Sequence, residues 1–416
     1  MRTGKTGRIA AALIGTLALL GATASTAGAA AGPVDVRLPV SPAARAAQST
    51  PIPVASSAAT GACTDHADGS RSCVDYTPHP RAGTDDGHRH VGIQSTWCDS
   101  LNAGTYWVTR TEGCVHGGVF TYTLRNSSGT ELGRAVMDYE QETLLGTTSL
   151  DWGDDTALTP TSVTGALLGL TVTATANCAG CTVDGNATWG GLIVQGDTLH
   201  GGADFGAHPA GGGVVNVTTG YTMIFAMPGA GPSNPVPIPG PPTLRCDSQV
   251  GSAAGCVFSA ARPVLTLSLS NPAVGQAAAA YLWTQLYRTP QWGTPASPLH
   301  READPAVQNA NRAATCNSTF VPSTAYNPGD SCDEFPFAAT KESAARLGYP
   351  GNTCAEIHPY LSGGDWYVTV VSPGTNPCVR AHVEEIVNET AGGRVGFLAV
   401  NARLLDGDPY ELDVTA

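Results

Sequence analysis

Lysine is almost missing from this 416-residue chain: Lys5 and Lys341 are the only two. Charged residues make up only 13% of the chain, and the balance is acidic. Setting aside Arg2, Lys5 and Arg8 at the start leaves 18 basic against 34 acidic residues. That composition excludes a protein that grips nucleic acid through a broad basic surface. Any partner carrying phosphate has to be met by a few arginines and a bound cation. After the first twenty residues no apolar run is long enough to cross a bilayer, so no membrane partner is expected. No second Cys-x-x-Cys or His-x-x-x-His accompanies Cys178-Ala-Gly-Cys181, and without a second ligand pair a small disulfide loop is favoured over zinc.

What is present first is an export signal. Arg2, Lys5 and Arg8 precede the apolar stretch Ile9 to Leu20, and Ala27-Gly28-Ala29 offers a cleavage site. Residues 1–29 therefore read as a signal peptide, with a retained anchor as the alternative, and the rest as a secreted chain. All 12 cysteines lie beyond that segment. Connectivity is not fixed by sequence, but sequential pairing closes the shortest loops. It joins Cys63 with Cys73, Cys98 with Cys114, Cys178 with Cys181, Cys246 with Cys256, Cys316 with Cys332, and Cys354 with Cys378. Residues 30–60, rich in Ala, Pro and Ser, read as a flexible leader. Residues 61–227 carry short Thr-, aromatic- and Val-rich runs separated by Gly, Asn and Ser, which predicts an all-β, sandwich-like unit. Residues 228–243 hold seven prolines and read as an extended linker.

Residues 244–416 change texture towards α+β. Helices are expected over 272–288, from Asp304-Pro305 to Thr315, and over 340–347. Strands are expected over 366–371 and 381–387, then a helix opening at Gly393 and running to Arg403, and a final strand over 410–414. The stretch Ser331-Cys-Asp-Glu-Phe-Pro-Phe-Ala338 sets two adjacent carboxylates between a cysteine and a proline turn. Carboxylates fixed that firmly suit a metal-assisted hydrolase, in which a base is placed beside water; an ordinary solvated turn is the competing reading.

That stretch resembles the Asp-Glu-aromatic-Pro signature of the NucA/NucB-type deoxyribonucleases. Leu244-Arg-Cys-Asp-Ser248, Pro298-Leu-His-Arg301, Asn311-Arg312 and Arg403-Leu-Leu-Asp-Gly-Asp-Pro-Tyr410 match the family in the same order. The resemblance covers residues 244–416 and implies a ββα-metal nuclease fold, a DNA substrate and one divalent cation, Mg2+ or Mn2+. It places the general base on Asp333, with Glu334 orienting water. No Asp-Arg-Gly-His motif is present, and His300 is the runner-up base. Arg301 and Arg312 are candidates for holding phosphate, with structural ion pairs as the alternative. Asn401 is the first choice of metal ligand, followed by Asn388 and Glu389. Ala391 stands where the family carries a polar residue.

The expectation is therefore a monomeric, secreted metal-dependent endonuclease whose residues 244–416 keep activity when expressed alone. The alternative is a non-catalytic extracellular binding or adhesion protein carrying a degenerate nuclease fold. Three further features carry less. The patch His79, Asp85, Asp86, His88 and His90 and the stretch Asp151-Trp-Gly-Asp-Asp155 read as loops rather than metal sites. Trp97, Trp107 and Trp152 suggest carbohydrate binding only weakly.

Overall fold

A computed structural model describes residues 34–39, 51–54, 62–78, 97–98, 101–185, 187–238 and 240–416. The expected signal peptide and the patch from His79 to His90 lie outside them. Long antiparallel strands dominate the first half. Glu112–Arg125 and Glu131–Leu144 pair along almost their whole length, and Asp151–Gly165 continues the ladder. Asn126 closes the hairpin by accepting from the backbone N–H groups of Ser128 and Thr130. Period-2 alternation sends Ala135, Met137 and Tyr139 inward. They meet Met223 and Phe225 of a second sheet, in which Val214–Met227 pairs with Thr171–Ala179.

The expected linker is not a boundary between domains. Val236–Ile238 pairs with Val214–Met227, and so does Leu244–Asp247 just beyond it. Leu244, Cys246, Cys256 and Phe258 are buried in the same core as Phe120 and Tyr139. Two described pieces of the leader are also paired: Val34–Arg37 with Asp365–Ser372, and Ile52–Val54 with Tyr106–Val108.

The expected fold class is corrected. Among the described residues the structure is mostly β, with 47% strand, 14% helix and three helices, it forms several sheets, and a C-terminal ββα-type α+β nuclease domain is not evident. A five-stranded sheet runs Val34–Arg37, Asp365–Ser372, Ala355–Ser362, Val379–Glu384 and Asp330–Phe335. A three-stranded sheet centres on Pro409–Thr415, parallel to Val264–Ser268 and antiparallel to Leu299–His300. The helices are α1 (Gly275–Tyr287), α2 (Pro305–Thr315) and α3 (Glu385–Asn401). Residues 340–347 form turns instead of the expected helix. The segment expected as a strand to 387 ends at Glu384, and α3 starts eight residues before Gly393. Burial of Val387, Ala391 and Ala399 fixes α3 and overrides the cost of mid-helix glycine.

Six disulfides join the cysteines in the sequential order expected. Cys63 is bonded to Cys73, Cys98 to Cys114, and Cys178 to Cys181. Cys246 is bonded to Cys256, Cys316 to Cys332, and Cys354 to Cys378. The bridges Cys63–Cys73 and Cys246–Cys256 each join directly opposed residues of an antiparallel pair. Cys98–Cys114 pins the short segment at Trp97 to the start of the long strand Glu112–Arg125. Cys354–Cys378 clamps the neighbouring ends of Ala355–Ser362 and Val379–Glu384 in the five-stranded sheet. Six such bonds fit an oxidising compartment. No helix among the described residues is long and apolar enough to cross a membrane.

Candidate nuclease site

Asp330–Phe335 is one of the two edge strands of the five-stranded sheet, and it sets the geometry of the acid pair. Neighbours on a strand point to opposite faces, and the register shows it: Asp333 lies opposite Ala381, and Glu334 opposite Arg380. Asp333 turns towards α1, where the Tyr281 hydroxyl donates to both its oxygens at 2.9 and 3.1 Å. Glu334 turns to the other face, where Arg312 of α2 approaches at 3.5 Å and the Ala338 N–H donates at 3.3 Å. Because the strand is an edge, one cavity still reaches both carboxylates. The Cys316–Cys332 bridge ties the end of α2 to the residue before Asp333.

Both acids are buried, with 4% of Asp333 and 7% of Glu334 exposed. Burial, reinforced by the neighbouring Glu334 charge, holds the Asp333 pKa well above the usual carboxylate range; the Tyr281 bond and Arg312 oppose that shift. Burial also raises Glu334, with Arg312 opposing.

The cavity, of about 710 Å³, is lined by residues from four separated stretches of sequence. Arg301, Arg312, Asp333, Glu334, Asn388 and Glu389, all singled out from the sequence, lie on its wall. Arg301 is half committed: its guanidinium donates to the Leu404 carbonyl. Arg312 is more than half exposed at the rim. The Asn388 amide nitrogen donates to Ser331 Oγ (3.1 Å) and the Cys332 carbonyl (3.0 Å), which leaves its Oδ1 outside those bonds.

Two of the expected residues are not brought to this cavity. Asn401, the first-choice ligand, is the exposed last residue of α3 and lines a different cleft with Arg394 and Phe397. With α3 starting at Glu385, the helix-borne asparagine beside Asp333 is Asn388. His300 does not line the cavity: its Nδ1 meets Glu342 at 2.8 Å and its backbone N–H donates to the same carboxylate. Ala391 is fully buried in the core, so a polar side chain there would have to be accommodated inside the protein. Sequence reasoning also missed Tyr281, whose position inside the alanine run of α1 carries no local signal of its contact.

Among the described residues no three His, Cys, Asp or Glu side chains gather as a metal cage. The donors around the cavity are nevertheless all oxygens: Asn388 Oδ1 and the carboxylates of Asp333, Glu334 and Glu389. That set fits Mg2+ or Mn2+, which keep water and substrate in their coordination shell, and does not suit zinc. Carboxyl groups outnumber guanidiniums on the wall: Asp333, Glu334, Glu385 and Glu389 stand with Arg301 and Arg312, while Glu302 is paired with Lys341 at 2.8 Å.

Comparison with protein-family models, curated proteins and solved structures finds no match.

The other sequence features resolve as structure. Asp151-Trp-Gly-Asp-Asp155 opens a strand and is not a loop; Trp152 is buried and stacked on Phe205. Arg403 and Asp408, from the closing motif, belong to a buried ionic network. Arg403 meets Asp247 at 2.6 Å, and Asp408 meets Arg245 at 2.6 Å and Arg110 at 3.3 Å. Lys341 bridges Glu302 and Asp406, each at 2.8 Å.

Proposed function

We propose that this chain is an exported, metal-dependent endonuclease that hydrolyses DNA phosphodiester bonds, with Asp333 as general base. The observation that carries the proposal is convergence. Arg301, Arg312, the Asp333–Glu334 pair and the Asn388–Glu389 pair come from separate segments and line one cavity. They are the residues that the resemblance to NucA/NucB-type nucleases singles out, apart from His300 and Asn401.

A carboxyl whose proton affinity is raised by burial is a stronger base than a free aspartate, as proton abstraction from water requires. Tyr281 holds both Asp333 oxygens and so fixes the orientation of the base. Arg312 and the free part of Arg301 are placed to meet phosphate oxygens. Asn388, Glu389 and Glu334 would hold one Mg2+ or Mn2+. When bound, it supplies positive charge against the phosphate and the departing oxygen, which a wall this acidic does not supply itself.

The excess of carboxylates also favours the second reading, a non-catalytic binding protein. Nicking of supercoiled plasmid by the full secreted chain, with magnesium or manganese and with chelator, separates the two. Cation-dependent nicking that disappears in Asp333→Asn is expected. A folded protein that leaves the plasmid intact with either metal would leave only the binding reading.

A further inference from the structure

The cavity offers more than an acid and a phosphate grip. Its other wall is apolar, formed by Phe337, Val395 and the half-exposed Val400. Two glycines of α3, Gly392 and Gly396, lie in that wall one helical turn apart, and a Cβ built on either meets nothing within 4 Å. The space beside them is therefore open and is not needed for packing. An independent observation points to a ligand: Tyr410 lines the cavity with 1% of its surface exposed, and its hydroxyl is buried without a hydrogen-bond partner among the described residues. Leaving a hydroxyl unpaired is unfavourable, and a bound polar group would satisfy it.

We propose that the cavity takes one unpaired nucleotide, its phosphate towards Arg312 and its base or sugar against Phe337, Val395 and the glycine face of α3, so that the enzyme prefers single-stranded DNA to duplex. This rests on the nuclease reading above. Asp333 lines the cavity with only 4% of its surface exposed, and a nucleotide stacked and paired within a duplex reaches so buried a carboxyl only after being unpaired, at a cost of about a few kcal/mol. A single strand avoids most of that cost. The acidic wall argues the same way, because few phosphates are gripped and recognition must be local to one nucleotide.

The test compares one labelled oligonucleotide cut by the full chain as a single strand, as a perfect duplex, and as a duplex with a central unpaired bubble. Cleavage of the single strand at least about tenfold faster than the duplex, with bubble cuts confined to the unpaired bases, is expected. Two variants probe the wall. Gly396→Leu should lower single-strand cleavage about tenfold or more at unchanged or higher melting temperature, because the leucine fills open space and favours helix. Tyr410→Phe should raise KM for the oligonucleotide several-fold without loss of stability, since it removes only an unpaired hydroxyl. Duplex cut as fast as single strand, or both variants cutting like the parent, overturns this inference and leaves the nuclease reading standing. No cleavage of any substrate by folded protein overturns both.

Discussion

Asp333 and His300 are rival bases in the sequence, and their surroundings separate them. Asp333 lies inside the cavity and accepts from Tyr281, whereas His300 is held outside by Glu342. Asp333→Asn keeps the shape and removes the proton acceptor, so single-turnover cleavage should fall about 10²–10⁴-fold. His300→Ala should change that rate less than about threefold while lowering the melting temperature, because Glu342 loses the imidazole and keeps only the backbone N–H. A dead His300 variant beside an active Asp333 variant would reverse the assignment. A second buried acid has no part in this chemistry. Asp154 accepts from Thr143 at 2.6 Å and Gln141 at 2.9 Å inside the first core, and burial pushes its pKa up to about 7 despite those bonds. The folded state therefore keeps a proton that the unfolded chain releases near pH 4. Stability from this group is complete below about pH 4 and drains away as pH rises towards 7. Asp154→Asn removes that titration. Its melting temperature relative to the parent should improve by several degrees between about pH 4.5 and about pH 7.5, as calorimetry at the two values would show. An unchanged difference would place the acid's titration elsewhere.

At the level of elements, α3 shows where sequence reading stopped. The pair Gly392–Gly393 looks like a helix start because glycine disfavours a helix interior by about 1 kcal/mol. Here it sits mid-helix, since Val387, Ala391 and Ala399 gain more by packing on the core. That shift brings Asn388, and not Asn401, to the cavity. The edge strand Asp330–Phe335 was not read as a strand: Cys332 and Pro336 marked only a constrained turn, though Asp333 and Glu334 could be named from spacing and resemblance. Their split across two faces also follows from strand periodicity once the strand is known. The contact of Tyr281 had no local mark, and neither did the pairing of Val34–Arg37 with the distant strand Asp365–Ser372. Long-range pairing is not written in any one window of sequence. Gly393 gives a direct check on α3. It is exposed, does not line the cavity, and has open space where a Cβ would sit. Gly393→Ala should raise the melting temperature by about 1–2 °C with unchanged cleavage. A lower melting temperature would mean that the segment is not helical there.

For the whole molecule, the issue is whether residues 244–416 stand alone, as the resemblance implied. Several contacts say they do not. Arg110, from the first half, is buried and donates to the carbonyls of Ala402 (2.7 Å), Ala261 (3.0 Å) and Arg403 (3.1 Å), besides meeting Asp408. Burial and the nearby Arg245 outweigh Asp408 and push its pKa down to about 10, still charged at neutral pH. Arg245 and Arg403 also donate within this network, to Asp408 and Asp247. Removing one member of a buried charge cluster costs about 3–5 kcal/mol, a large part of the stability of an ordinary domain. A fragment starting at residue 244 loses Arg110, loses Val214–Met227 as the partner of Leu244–Asp247, and loses Val34–Arg37 from the edge of the five-stranded sheet. It also exposes Leu244, Cys246, Cys256 and Phe258, whose core partners lie in the deleted half. The fragment should therefore be insoluble or lack a cooperative melting transition, and its nuclease activity should be absent. Arg110→Ala in the full chain should reproduce some of that loss, lowering the melting temperature while leaving the wall of the cavity intact. A fragment that melts cooperatively and cuts DNA at the full-chain rate would show that the first half is an appendage, and that the ionic network between the halves contributes little.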